Sequence, residues 1–172
     1  MTGTDTSYFN DAAMARKFAI RAHGDQKYGK EPYVVHLDQV VELCKPYPLK
    51  NLDIVAYLHD VMEDTSTTEE EIASNFGIWV AECVEMLTDP PGLNRKIRKA
   101  ALHARLSKLR SSSSTYPVLI VKAADRLANI QQCIKYRDTR LLMYKKEHDE
   151  FKNAVYREVL NKDLFDEMDK IL

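Results

Sequence analysis

Apolar residues recur along most of this chain at spacings of three and four, the period of amphipathic helices. Ala15, Phe18, Ala19 and Ala22 line one side of a first helix over Ala12–Ala22, with Asn10 as its cap. Residues Gly24–Pro32 read as a loop leading into Tyr33-Val34-Val35-His36. A second helix starts at His36 or Leu37, carries Val40, Val41 and Leu43, and is ended by Pro46 and Pro48. Asn51 or Asp53 caps the next helix, whose unbroken apolar run Ile54–Leu58 marks it as substantially buried. That helix is expected to continue through His59-Asp60 to Asp64.

Thr67 or Thr68 ahead of Glu69-Glu70-Glu71 is a capping signal, with acids at the positive end of a helix dipole. The helix it opens stops at Gly77, and another runs from Ile78 to Leu87 until Pro90-Pro91-Gly92 breaks the chain. Leu93–Leu109 alternates basic and apolar residues at helical spacing, and Ser111–Ser114 is a polar, flexible connection. Pro117–Cys133 reads as a buried helix. Its Val118–Val121 segment has strand propensity, but the Ala- and Leu-rich residues after it favour extending the helix back. Thr139–Leu160 is one long amphipathic helix in this reading, with a short terminal helix from Asp163. No repeat and no strand or hairpin signal is visible. The expectation is an all-α, single-domain helical bundle over residues 1–172, with core motifs in 10–135 and C-terminal helices in 138–172.

The 172 residues suffice for one well-packed domain. A net charge of -1 gives no electrostatic case for a nucleic-acid partner. There is no apolar run long enough to span a bilayer, and the first ten residues lack the basic and apolar segments of a signal peptide. Cys44, Cys83 and Cys133 are odd in number, widely spaced and without a CxxC, which fits reduced, buried thiols in a cytoplasmic protein. The oligomeric state is not encoded in any of these patterns.

The densest chemistry lies in His59-Asp60-Val61-Met62-Glu63-Asp64. On a helix, His59 and Glu63 share one face, with Asp60 and Asp64 beside them. Buried charges need partners or a metal, so an acidic patch ending a buried helix points to a site. A divalent metal needs about four to six ligands, and His59-Asp60 supplies two. His36 opens a helix upstream. Asp125 is an acid inside an apolar helix and needs a compensating partner, either a metal or a salt bridge to Lys122 or Arg126.

The ordered set His36, His59-Asp60 and Asp125 resembles the HD-domain metal-dependent phosphohydrolases. The wider text is AHGDQKYGKEPYVVH (Ala22–His36), LHDVMEDT (Leu58–Thr65), Phe76-Gly77, Leu87–Asp89 and VKAADRLANI (Val121–Ile130). Together these motifs resemble the hydrolase domain of RelA/SpoT proteins and their small stand-alone relatives, which remove the 3′-pyrophosphate from ppGpp. The resemblance runs from about residue 10 to residue 135. It implies an HD-type bundle, a Mn²⁺ cofactor (or another divalent transition metal) on His36, His59, Asp60 and Asp125, and Glu63 and Asp64 as the catalytic acidic pair. Asn129 stands where the family has a substrate-contacting Asn. The implied partner is a small phosphorylated nucleotide, and the length leaves no room for the synthetase and regulatory domains of long RelA/SpoT proteins. The match departs at Lys27, where the family usually has Arg to stack on guanine; Lys keeps the charge but not the plane. Tyr28, at a position commonly basic, either stacks a base in its place or packs on the loop. A phosphatase for another nucleotide, such as NADPH, and a non-catalytic nucleotide sensor are the alternatives.

Other polar residues have plainer readings. His23 supports the site through hydrogen bonds, and His103 and His148 are solvated. Lys96, Arg98 and Lys99 form a charged helix face, with attraction of substrate phosphates as the alternative. Lys122 points to the site or snorkels outward. The role of Tyr33 is open, and Tyr136, Tyr144 and Tyr156 are packing residues.

Overall fold

The computed structural model describes residues 6–172, with side chains from residue 11. The chain forms two compact units, Met1–Thr88 and Asp89–Leu172.

The first unit is built around a short, buried helix. α1 (Thr6–His23) begins four residues before Asn10, so Asn10 lies within the helix rather than at its cap. A two-stranded hairpin follows, β1 (Lys27–Tyr28) against β2 (Glu31–Pro32), with Tyr28 opposite Glu31. The expected loop is therefore a hairpin. Strands of two residues are too short to leave an alternating pattern, and the turn depends on Gly29 at φ 64°. α2 (Val34–Cys44) starts earlier than expected and buries Leu37, Val40, Val41 and Cys44. A bidentate pair from Arg16 to Asp38, both contacts 2.7 Å, ties α1 to α2.

α3 (Leu52–Leu58) packs against α1 and α2, and five of its seven residues are buried. Asn51, in the left-handed region, precedes it without a side-chain cap bond. Asp53 accepts from the Ile54 amide instead, at 2.9 Å. The helix expected to run on to Asp64 is broken: α3 ends at Leu58, His59-Asp60 forms a turn, and α4 (Val61–Asp64) resumes. Asp60 sits at φ -106°, ψ -5°. The Asp64 amide still donates to the Asp60 carbonyl at 3.0 Å, so the one-turn relation of these two acids survives. Thr68 opens α5 (Glu69–Phe76) with a full capping box, accepting from the Glu71 amide while the Glu71 carboxylate accepts from its own. Gly77, at φ 92°, joins α5 to α6 (Ile78–Leu87), which pack together. Phe18 of α1 meets Phe76 edge to face at 5.5 Å.

The second unit is centred on α8 (Val118–Tyr136), most of whose residues are buried. The Val-rich start is helical, as propensity over the whole segment implied. Before it, α7 (Arg95–Leu106) is capped by Asn94, which accepts from the Ile97 amide at 3.1 Å. The expected long helix over Thr139–Leu160 is divided into α9 (Arg140–Lys146) and α10 (His148–Val155), and α11 (Glu158–Ile171) starts before Asp163. No glycine or proline marks these breaks. Glu147, at the first, is drawn to Arg95 and lies 3.6 Å from Arg126. At the second, Tyr156 and Arg157 are extended, and the Arg157 guanidinium donates to the Leu106, Ser107 and Leu109 carbonyls at and beyond the C-terminal end of α7. Distant partners outcompete local helix propensity at both. The three cysteines are free and buried. No helix among the described residues is long and apolar enough to cross a membrane.

Candidate metal centre

Because α3 is buried on nearly every side, the turn that follows it delivers His59 to the interior. His36, on the first turn of α2, approaches the same point. His36 and His59 are each 1% exposed. Together with Asp60 they place one ligand atom each within 4.8 Å of one another. The two imidazoles stand edge to face, 5.3 Å apart.

The geometry of this cluster suits a cation. His59 Nδ1 lies 2.7 Å from the Ala56 carbonyl oxygen, an acceptor, so Nδ1 carries a proton and Nε2 is the ring nitrogen left to serve a ligand. That nitrogen faces Asp60 Oδ2 at 3.0 Å, and His36 Nε2 is 3.6 Å from the same oxygen. Asp60 Oδ2 is thus shared between two imidazole nitrogens, an arrangement that a proton or a metal bridges. The backbone carbonyl behind His59 is the kind of partner that orients a metal-binding imidazole. The donor set, two imidazole nitrogens and a carboxylate oxygen, fits a divalent transition metal.

A supporting arm lies on the hairpin side. Tyr33 donates its hydroxyl proton to Asp60 Oδ2 at 2.6 Å. Its ring stacks on His23 with centroids 4.3 Å apart. His23 Nδ1 meets Gln26 Oε1 at 2.8 Å, and Gln26 Nε2 donates to Asp64 Oδ2 at 2.8 Å. His23 thus serves as the expected hydrogen-bonded support. Gln26 is the residue sequence reasoning missed, and Tyr33 is the one whose role it left open; the signal for both is their place inside the Ala22–His36 motif.

Glu63 and Asp64 lie on the exposed side of α4. Lys27 is exposed, whereas Tyr28 is buried with its ring on His36, centroids 4.5 Å apart.

In the second unit, Asp125 projects from α8. Lys122 Nζ is 3.2 Å from its Oδ2, and Asn129 Nδ2 donates to its Oδ1 at 2.6 Å. Lys122 is thus the salt-bridge partner, and Arg126 is turned elsewhere. The Arg126 guanidinium lies over the Tyr144 and Phe151 rings and donates to the Tyr144 carbonyl at 2.8 Å. Asp125, Asn129 and Lys122 line a cavity with Arg95, Lys99 and His103. Lys99 pairs with Asp89 at 2.9 Å, while Lys96 stays on the exposed face. His103 and His148 are not solvated. They are half-buried, with Nδ1 of His103 3.2 Å from Glu150 and Nε2 of His148 2.7 Å from Asp169. Burial pulls the His103 pKa down, against the Glu150 carboxylate, which raises it.

The chain is similar to known proteins in sequence and in fold. The chain is 33% identical over 135 residues to a guanosine-3′,5′-bis(diphosphate) 3′-pyrophosphohydrolase of Aquifex aeolicus, covering 77% of this chain and 19% of that protein. It is 35% identical over 133 residues to a GTP pyrophosphokinase rsh of Brucella ovis, covering 76% of this chain and 18% of that one. The chain thus spans about a fifth of the length of these curated relatives. A solved structure of a metazoan ortholog of SpoT, which hydrolyzes ppGpp and plays a role in starvation responses, has the same fold, with a TM-score of 0.75 at 24% identity. It is matched over 99% of this chain and 96% of that one. The sequence model of the HD domain matches residues 15–158, a span that includes every site residue described above, and by that match the chain belongs to the HD-domain family.

Proposed function

We propose that this chain is a metal-dependent phosphohydrolase that removes the 3′-pyrophosphate from guanosine-3′,5′-bis(diphosphate) or its pentaphosphate form, giving GDP or GTP and pyrophosphate. The observation that carries the reading is the convergence of His36, His59 and Asp60 within 4.8 Å in an HD-domain chain. The names of its relatives support the substrate. In this reading residues 1–172 act as one HD domain, and Asp125 joins the three clustered residues as the fourth ligand of Mn²⁺. The free, buried cysteines support a reducing compartment, the cytoplasm.

When bound, such a metal lowers the pKa of a water and neutralises charge on the phosphoryl oxygens. His59, held by the Ala56 carbonyl, and Asp60, held by Tyr33, keep their ligand atoms oriented towards it. Glu63 and Asp64, on the turn after the ligands, orient the attacking water and accept its proton. The water oxygen bonds to the phosphorus next to the 3′ oxygen, the phosphorus–3′-oxygen bond breaks, and the 3′ oxygen takes up a proton. Asn129 and Lys27 contact the substrate, and Tyr28 acts through its packing on His36.

The test is pyrophosphate release from ppGpp by the purified chain with Mn²⁺, beside Asp60→Asn and Glu63→Gln. Asp60→Asn loses metal and turnover together, while Glu63→Gln keeps the metal and loses turnover. An active Glu63→Gln chain rejects the proton-acceptor role. One observation favours a second substrate: with Lys27 in place of a flat guanidinium and Tyr28 buried, neither position offers a plane to guanine. Metal uptake without release from ppGpp moves the assignment to another phosphorylated nucleotide, with the 2′-phosphate of NADPH as the first to assay. Nucleotide binding without any turnover identifies a sensor.

A further inference from the structure

The hairpin arm reaches two carboxylates that stand one turn apart and have different jobs. Asp60 Oδ2 is the oxygen that faces both His59 Nε2, at 3.0 Å, and His36 Nε2, at 3.6 Å. It is also the oxygen to which the Tyr33 hydroxyl donates, at 2.6 Å. A carboxylate rotates easily about its last torsion, so a fixed donor decides which oxygen is presented and at what angle. Tyr33 is itself fixed. Its amide donates to the Gln26 carbonyl at 3.1 Å, its ring stacks on His23, and its edge meets His36 at 5.6 Å.

The second limb starts from the same histidine. His23 Nδ1 approaches Gln26 Oε1 at 2.8 Å, which turns the amide so that its nitrogen donates to Asp64 Oδ2 at 2.8 Å. His23 is buried and is the joint of the arm, one face carrying Tyr33 and one nitrogen orienting Gln26.

We propose that Tyr33 is a positioning residue for the metal ligand Asp60, and that Gln26, on the same arm, positions Asp64 without touching the metal set. The proposal rests on the metal-centre reading above. The experiment titrates the full chain with Mn²⁺ alone, reading free Mn²⁺ by electron paramagnetic resonance, for the wild type, Tyr33→Phe and Gln26→Met. Both variants keep size and shape, and Tyr33→Phe retains the stacking on His23.

Tyr33→Phe weakens Mn²⁺ binding by roughly 10- to 100-fold, the usual effect of losing a group that orients a ligand. Gln26→Met binds Mn²⁺ as the wild type does, and in steady-state hydrolysis its kcat falls while KM holds. A purely structural arm moves both variants alike, so a Gln26→Met chain with Mn²⁺ affinity as low as Tyr33→Phe overturns the division of labour. Wild-type affinity in Tyr33→Phe overturns the role of Tyr33, and an undiminished kcat in Gln26→Met overturns that of Gln26. A wild-type chain that takes up no Mn²⁺ overturns the metal-centre reading itself, and the proposal with it.

Discussion

Replacing Asn161 by alanine tests how the second unit is held together. Asn161 is 0% exposed and sits where α11 departs from helical geometry, at φ -140°, ψ 25°. Its amide nitrogen donates to the Leu119 carbonyl of α8 and the Val155 carbonyl of α10, both at 3.1 Å. Its amide oxygen accepts from the Arg157 backbone at 2.9 Å. One side chain therefore ties three helices through two buried hydrogen bonds and one part-buried one. At about 1 kcal/mol net for each bond, Asn161→Ala costs about 3 kcal/mol. For a chain of this length that lowers the melting temperature by roughly 6–12 °C. Urea unfolding followed by helical circular dichroism measures the cost directly. Asn161→Asp adds a check on mechanism. At neutral pH it aims a carboxylate oxygen at two carbonyl oxygens, and protonation at low pH restores a donor. Its deficit relative to wild type therefore shrinks as the pH falls. A cost for Asn161→Ala below about 1 kcal/mol, less than one such bond, refutes the three-helix tie.

Three further outcomes follow from the titratable groups. Burial pushes the Glu147 carboxyl up, but hydrogen bonding to Arg95 and the charges of Arg95 and Arg126 outweigh it and hold the pKa below its ordinary 4.5. A depressed carboxylate stabilises the fold at neutral pH and loses that contribution as the pH falls through its folded-state value. Glu147→Gln should thus flatten the loss of stability below about pH 4.5 in pH-dependent melts. The His103 pKa, lowered chiefly by burial, makes the unfolded chain bind more protons, so stability falls as the pH drops below about 6.5; His103→Phe should remove this component from the same melts. Burial pushes the Cys44 and Cys83 thiols up to about 12 and raises that of Cys133. A thiol-disulfide reagent at neutral pH should leave all three unmodified in the folded chain and label all three in urea; rapid native labelling rejects the burial.

Where the chain carries its own punctuation, the elements are legible in the residues alone. Thr68 with Glu71 is a start signal complete within four residues, and Gly77 a stop that only an unhindered backbone satisfies. Lys122 stands one turn before Asp125, so their pairing is among the local possibilities. Where the deciding partner is remote, local periodicity overruns the true boundary. The span Thr139–Leu160 contains nothing locally hostile to a helix. It is broken because Glu147 meets Arg95, and because the Arg157 guanidinium reaches carbonyls at the C-terminal end of α7. The hairpin leaves no trace in the pattern because two-residue strands have no periodicity to read.

Local spacing and residue type carry the helices, a buried α3 leading into His59-Asp60, acids one turn later, and the motifs of the HD family. These signals act within a few positions of one another, so the linear order of residues is enough to carry them. Which atoms meet is a matter of tertiary packing. It sets His36 against His59 and Asp60, selects Oδ2 of Asp60 as the oxygen facing both imidazoles, and gives Tyr33 and Gln26 their carboxylate partners. Such meetings depend on the angle at which α2 enters after the hairpin and on the turn at Asp60. Contacts with non-neighbouring residues fix both, and no local pattern encodes those contacts.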